Sequence, residues 1–187
     1  MALISADYFR KYSRDDGRSY DESWRDYSRI DSAIRLAKVR RLKSTLVLGA
    51  ATGGVLRDLH KSLGVMPRGC EVSRWAHARI PARYRAQVVC ADMRNWVPKL
   101  VREGATFDLV FTNSLIYLPS VEILPLLRQI ARLGRFVHFE SSFSESHCED
   151  PFRITLKPAI WWARRFREAG FEGTRSRYLW RSTCFDS

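Results

Sequence analysis

The sequence lacks the patterns that mark secreted, membrane-spanning and metal-binding proteins. Its 4 cysteines include no Cys-x-x-Cys pair, so we expect neither a disulfide framework nor a metal site. No apolar run approaches the ~20 residues that a helix needs to span a bilayer. The first residues also lack a basic segment followed by an apolar one. We therefore expect a cytoplasmic protein without a membrane segment.

Lysine is scarce as well, because only 6 of the 32 basic side chains are lysines and the other 26 are arginines. The formal net charge is +12, of which residues 44–150 carry only +3. Residues 1–43 carry +4 and residues 151–187 carry +5. Arginine forms bidentate contacts with phosphate and carboxylate groups, so the two flanks favour an anionic partner such as RNA. A general bias of the source genome toward arginine is the alternative explanation.

The chain has the length and composition of one folded domain. It has 187 residues, of which 45% are hydrophobic, so a disordered protein is excluded. Short apolar runs alternate with segments of helical periodicity. Buried strands are predicted at 44–49, 68–72, 86–91, 107–112 and 135–139, with one or two more between 171 and 185. Helices are predicted at 53–63, 95–102, 120–133 and 158–169, with a short one after Ser73.

This alternation is typical of an α/β fold with a doubly wound, mostly parallel sheet flanked by helices. We assign residues 44–187 to that core and residues 1–43 to an N-terminal helical extension rich in aromatic rings. Ligands of such sheets bind beyond the carboxyl ends of the strands. The residues at those ends are therefore the first candidates for a functional site.

Three of the strand ends carry groups suited to a nucleotide-like ligand. The loop Gly49-Ala-Ala-Thr-Gly-Gly54 lets the backbone approach a ligand closely before a helix begins. Glu71, at the end of the second strand, is suited to the hydroxyls of a ribose. Asp92, after the third strand, is suited to the amine of an adenine, while the next backbone N–H reaches a ring nitrogen. A tight turn, a surface carboxylate and a helix cap are the respective structural alternatives.

Six segments between Leu46 and Phe171, in their order and spacing, resemble the core of class I S-adenosylmethionine-dependent methyltransferases. They read TLVLGAATG, GCEVS, VVCADM, FDLVFTNSLIYLP, LLRQIARLGRFVHF and WWARRFREAGF. The resemblance implies a Rossmann-like methyltransferase fold with S-adenosylmethionine as its cofactor. It implies that the cofactor is bound by Gly49, Ala50, Ala51, Thr52, Gly53, Glu71, Val72, Asp92, Met93, Asn113 and Ser114.

The sequence departs from this family's pattern at two positions. Val47 stands where family members often have an acidic residue, two positions before the first glycine. Ala51 replaces the middle glycine of the loop and adds a methyl group close to the expected ligand. A non-catalytic module that binds a cofactor or a partner therefore stays open as an alternative to an enzyme.

Candidates for catalysis follow the fourth and fifth strands. Methyl transfer is an in-line displacement in which the enzyme aligns the reacting groups and excludes water. A base is needed only if the acceptor arrives protonated. Glu140 is the first candidate base, beside Glu145 and His147, and Tyr117 is a candidate orienting group. His138 lies inside a strand, so we expect it in the core.

Aromatic side chains at helical spacing precede the first strand. In the resembled family such segments often cover the cofactor and the acceptor, which makes Tyr8, Tyr12, Tyr20 and Trp24 candidates for a lid. Aromatic rings suit a sulfonium group through cation–π attraction. An amphipathic helix that packs on the sheet is the alternative interpretation.

A small molecule is the favoured acceptor. Methyltransferases that modify nucleic-acid amines often carry an Asn/Asp-Pro-Pro-aromatic motif, whereas this chain has Asn113-Ser-Leu-Ile116 at the corresponding place. RNA or another nucleic acid is the alternative acceptor, supported by the charge of the flanks. Its candidate contacts are Arg164, Arg165, Arg167, Arg175, Arg177 and Arg181.

Overall fold

The computed structural model describes residues 6–11, 30–139, 152–174, 176 and 178–185. Seven strands form its sheet, and the chain divides into two compact units, Met1–Trp96 and Val97–Ser187. None of the helices within the described residues is long and apolar enough to cross a membrane.

The first unit contains a parallel arrangement of three strands in the order β3-β2-β1. These strands are β1 (Thr45–Leu48), β2 (Arg68–Glu71) and β3 (Val88–Cys90). The helices before and between them are α1 (Ala6–Lys11), α2 (Ile30–Val39), α3 (Gly54–Leu63), α4 (Arg74–Arg79) and α5 (Ala82–Arg85). A further helix, α6 (Met93–Arg102), follows β3 and continues into the second unit.

Apolar side chains of β1 and of two helices form the interior of the first unit. Leu46, Val47 and Leu48 are fully buried along β1. Helix α2 packs against α3 and buries Ile30, Ala33 and Ala37, which recur at helical spacing on one face. Gly69 of β2 lies directly against β1, because a Cβ atom there would come within 2.9 Å of the Val47 carbonyl oxygen. This close approach fixes β1 and β2 side by side.

The second unit contains four strands in the order β4-β5-β7-β6. The parallel pair is β4 (Phe107–Thr112) and β5 (Gly134–Phe139), and β7 (Leu179–Ser182) pairs antiparallel with both β5 and β6 (Phe171–Gly173). Helix α7 (Ser120–Leu133) leads straight into β5, and α8 (Ala159–Glu168) precedes β6. Short 3₁₀ helices span Leu115–Tyr117 and Thr183–Phe185.

Aromatic stacking holds α8 on the strands of the second unit. Phe166 stacks on Trp180 of β7 with 4.6 Å between ring centroids. The ring of Phe139, at the end of β5, lies 4.6 Å from that of Trp162. Both helix residues are fully buried, so they anchor α8 through the apolar surface that they remove from water.

The fold confirms the predicted mostly parallel α/β sheet flanked by helices. The helix predicted at 120–133 has those bounds, and the C-terminal region forms two strands. Differences occur at ends of elements. Strand β3 spans only Val88–Cys90, because α5 occupies the residues before it and Gln87 still donates its N–H to the Tyr84 carbonyl. Helix α6 begins at Met93, two residues before the predicted start, because Asp92 caps it.

Candidate cofactor site

The loop after β1 has the backbone conformation of a tight, left-handed turn. Gly49, Ala51 and Gly53 have φ angles of 84°, 48° and 98°. The N–H groups of Gly49 and Ala50 both donate to the Cys70 carbonyl of β2 at 3.0 Å, which holds the start of the loop against the neighbouring strand. The loop ends where α3 begins, so the open N–H groups of a helix terminus lie next to it.

Glu71 joins this loop to the end of β2. Its side chain is only 4% exposed. One carboxylate oxygen accepts the Ala51 N–H at 2.7 Å, and the other accepts the Ser73 N–H at 2.8 Å. The loop after β1 and the end of β2 are therefore linked through one carboxylate, at the edge where ligands of such sheets bind.

Burial governs the acidity of Glu71. Loss of solvent raises its pKa to about 7, and the backbone hydrogen bonds from Ser73, Ala51 and Val72 lower it only in part. The side chain therefore changes charge near neutral pH. When it is ionised, the carboxylate can accept hydrogen bonds from ribose hydroxyls. The adjacent residues, Cys70 and Val72, carry no positive charge that would pair with it.

Asp92 serves as a helix cap and as half of an ion pair. Its Oδ1 accepts the backbone N–H of Arg94 at 2.9 Å, which caps the first turn of α6. The Arg94 guanidinium also binds both carboxylate oxygens, through Nε at 3.0 Å and through Nη2 at 2.5 Å. Burial opposes ionisation of Asp92, but the hydrogen bonds and charge of Arg94 prevail and lower its pKa.

The two departures from the family pattern have different structural consequences. Val47 is fully buried, and its Cβ atom borders the space over Gly69 together with a methyl group of Leu56. A carboxylate at this position would have apolar neighbours on that side. Ala51 adopts the left-handed conformation that a glycine would take there, which costs an alanine about 1 kcal/mol. The loop shape is therefore kept at the cost of local strain.

Three predicted residues follow β4 in the second unit. Ser114 donates its N–H to the Thr112 hydroxyl at 3.3 Å, and Tyr117 ends a 3₁₀ turn whose N–H reaches the Ser114 carbonyl at 3.2 Å. Asn113 and Tyr117 are half-buried. The turn itself is tied to the segment that precedes α8, because Ile154 and Thr155 both donate their N–H groups to the Ile116 carbonyl.

Most of the residues proposed for catalysis and for the lid lie outside the part of the chain that the structure describes. Glu140, Glu145, His147, Tyr12, Tyr20 and Trp24 lie outside the described residues. His138 lies in the core as expected, with its ring stacked on Phe111 at 4.9 Å, and burial lowers its pKa to about 4. It is therefore a neutral packing residue in that unit.

The first helix of the N-terminal extension, α1, packs on α4, the helix that follows β2. Tyr8 and Phe9 of α1 are buried, which favours a packed helix for these two residues. Phe9 stacks on Trp75 of α4 with 5.3 Å between centroids, and the Arg79 guanidinium lies 3.7 Å from the centre of the Trp75 ring. Helix α4 follows Glu71 by three residues, so α1 is docked on the element that leaves the candidate site.

Sequence reasoning missed two partners at this site. Ser73 precedes the short helix predicted after it, and its Oγ caps that helix by accepting the Ala76 N–H at 3.4 Å, but its own N–H also binds Glu71, which the sequence did not indicate. Arg94 was not singled out. The signal for it is its place two residues after the capping Asp92, where a long cationic side chain reaches back to the carboxylate.

Comparison with known proteins identifies the fold. No family model and no curated protein matches the sequence. Among solved structures, a SAM-dependent methyltransferase from Archaeoglobus fulgidus is 16% identical, with a TM-score of 0.63 over 82% of this chain and 73% of that one. The sugar N-methyltransferase KedS8 from Streptoalloteichus is 20% identical, with a TM-score of 0.62 over 87% of this chain and 91% of that one.

A third structure, the N-terminal domain of EvdMO1 with SAH bound, is 16% identical, with a TM-score of 0.61 over 90% of this chain and 89% of that one. At these identities the likeness concerns the fold. The chain has the Rossmann-like fold of class I S-adenosylmethionine-dependent methyltransferases.

Proposed function

We propose that the protein is a methyltransferase that uses S-adenosylmethionine to methylate a small molecule. The observation that carries this proposal is the position of Glu71, a buried carboxylate that bridges the glycine-rich loop and the end of β2. A buried carboxylate is costly unless its acceptor sites are used. The backbone N–H groups of Ala51, Val72 and Ser73 bind this carboxylate, which offers about four acceptor sites, so acceptor capacity is left for a ribose hydroxyl.

The residues of the first unit suit such a cofactor. The loop from Gly49 to Gly53 brings backbone N–H groups close to the sheet edge, and Glu71 and Asp92 supply carboxylates at the next two strand ends. When bound, S-adenosylmethionine would supply an electrophilic methyl group on a sulfonium. Asn113 and Ser114 of the second unit stay predictions for the same cofactor.

The chain's own contribution to the reaction would be alignment and proton handling. The cofactor would supply the methyl group, and its sulfur would keep the electron pair of the bond to the methyl carbon when the acceptor takes that carbon. The acceptor proton would pass to a base, for which Glu140 and His147 are the candidates, with Tyr117 as the orienting group. An acceptor that arrives deprotonated needs no such base.

Two observations favour a small acceptor over a nucleic acid. Arg164 and Arg165 pair with Glu168, and Arg181 pairs with Glu172, so part of the C-terminal positive charge is neutralised locally. Two of the similar structures concern sugars: KedS8 is a sugar N-methyltransferase, and the N-terminal domain of EvdMO1 was also crystallised with SAH and D-fucose. Amino and hydroxy sugars are therefore the first acceptors to test.

The test is release of S-adenosylhomocysteine from S-adenosylmethionine in the presence of single candidate acceptors. Free and nucleotide-linked amino sugars form one set, and a mixed-sequence RNA forms the other. We expect release that depends on a compound of the first set. Release with RNA alone would transfer the proposal to nucleic acid, and absence of release by protein that binds the cofactor would favour a non-catalytic module.

A further inference from the structure

The two carboxylates of the candidate cofactor site differ in the groups that bind them. Among the described contacts, Glu71 is held by backbone N–H groups alone, with Ala51 at one oxygen and Ser73 at the other. Asp92 receives three N–H donors, all from Arg94: the backbone N–H at one oxygen, Nη2 at the other, and Nε, which lies 3.0 Å from both oxygens and shares its single hydrogen between them. A carboxylate offers about four acceptor sites in all.

Both oxygens of Asp92 are therefore engaged by a single residue. An adenine amine needs one acceptor site on this carboxylate, and the Arg94 guanidinium lies against both oxygens that could provide it. Because Asp92 also caps α6 through the Arg94 backbone, the carboxylate itself stays in place while the guanidinium can move. The Arg94 side chain is 30% exposed, so it has a path into solvent.

We propose that the Arg94 guanidinium competes with the adenine amine for Asp92 and so sets the affinity and base specificity of the cofactor site. This inference rests on the proposed function, since it assigns Asp92 to the adenine. Binding of the cofactor would exchange part of the ion pair for a hydrogen bond from the amine. The ion pair thus acts as a specificity-determining contact: a ligand without that amine gains nothing by displacing it.

The test uses two ligands and three forms of the protein. The ligands are S-adenosylhomocysteine and its analogue with an unsubstituted purine, which lacks the amine. The proteins are the wild type, Arg94→Met and the control Lys99→Met. The control removes the same charge from the same helix and breaks only the exposed pair with Glu103 at 3.9 Å.

We expect Arg94→Met to bind S-adenosylhomocysteine about fivefold more tightly than the wild type, the order of effect that a partly exposed ion pair can have. The purine analogue should bind both proteins equally, and Lys99→Met should match the wild type with either ligand. Equal or weaker binding of S-adenosylhomocysteine by folded Arg94→Met would overturn the proposal. So would an equal gain for both ligands.

These outcomes are distinct from a failure of the proposed function. If the wild type and both variants are folded and none of them binds S-adenosylhomocysteine, the cofactor assignment itself is wrong, and the role of Arg94 falls with it. If the wild type binds and only the predicted gain is missing, the cofactor assignment stands and Arg94 is a structural partner of Asp92. Thermal unfolding of each variant shows that it is folded.

Discussion

Glu71 makes the stability of the protein depend on pH in a direction that is unusual for a carboxylate. Burial raises its pKa from 4.5 to about 7 in the folded state. Between these two values the folded protein binds the proton more tightly than the unfolded chain does, so folding is favoured at the acidic end of the range. This stabilisation is complete below pH 4.5 and is lost as the pH rises through 7.

We therefore predict that the free energy of unfolding of the wild type falls by up to about 3 kcal/mol relative to Glu71→Gln between pH 5 and pH 8. The variant loses a hydrogen bond at both pH values, so the comparison concerns the slope and not the absolute stability. Urea unfolding of both proteins at the two pH values measures it. Parallel pH profiles would show that Glu71 does not titrate in this range.

Ala51 carries strain that a glycine would not. Its φ angle is 48°, in a region that costs an L-residue about 1 kcal/mol or more. We predict that Ala51→Gly stabilises the protein by ~0.5–1 kcal/mol, the strain released less the greater freedom of glycine in the unfolded chain. Ala78→Gly, at the exposed second-last residue of α4, is the matched control and should destabilise the protein by up to about the same amount. If Ala51→Gly also lowers the stability, the claim that Ala51 is strained is wrong.

At the scale of elements, two glycines with left-handed conformations bound α3 and differ in their surroundings. A Cβ atom at Gly53 would lie 3.2 Å from a side-chain carbon of Ile80 and 3.3 Å from one of Pro81. At Gly64 it would meet nothing within 4 Å. The same substitution therefore tests crowding at one end of the helix and conformation alone at the other.

We predict that Gly53→Ala costs roughly 1 kcal/mol more stability than Gly64→Ala. The φ angle of 98° at Gly53 lies farther from the left-handed region that an alanine can adopt than the 70° of Gly64, and only a Cβ atom at Gly53 must displace its neighbours. Since Gly53 ends the loop of the candidate site, its variant should also bind S-adenosylhomocysteine more weakly, whereas the Gly64 variant should bind normally. Calorimetry and thermal unfolding of the pair measure both effects. Equal losses of stability would show that the Ile80 contact yields without cost.

The elements that could be predicted from the sequence are those with a long or clear pattern. Helix α7 was found at its observed bounds because its apolar positions recur over four turns. Helix α5, at Ala82–Arg85, was missed because four residues are too few to show a period. The start of α6 was misplaced, since a capping side chain rather than apolar spacing decides it.

In the candidate site, too, the sequence predicts the features that a motif fixes and misses those that side-chain conformation decides. Glu71 and the loop were predicted because a motif fixes their order along the chain, and the strand register then brings Glu71 to the loop. The ion pair between Arg94 and Asp92 was not predicted. It depends on the conformation of a long side chain, which the spacing of residues in the sequence does not determine. The bases proposed after β5 fall outside the described residues and stay predictions.

At the scale of the whole molecule, the net charge of +12 is weaker evidence for nucleic-acid binding than the sequence alone suggests. Arg94, Arg164, Arg165 and Arg181 each pair with a nearby carboxylate. Such pairs reduce the field that a phosphate chain would meet. The charge therefore fits an arginine-rich composition as well as a nucleic-acid surface, and the cofactor site remains the stronger guide to function.

The central claim is that Glu71 holds the cofactor, and calorimetry with S-adenosylhomocysteine tests it most directly. The wild type is compared with Glu71→Ala and with Glu103→Ala, which removes an exposed carboxylate directly after the end of α6. We predict binding by the wild type and by Glu103→Ala, and binding at least about tenfold weaker by folded Glu71→Ala, since charged hydrogen bonds contribute on the order of 1.5–3 kcal/mol. Absence of binding by the wild type, or equal affinity of all three proteins, would contradict the claim.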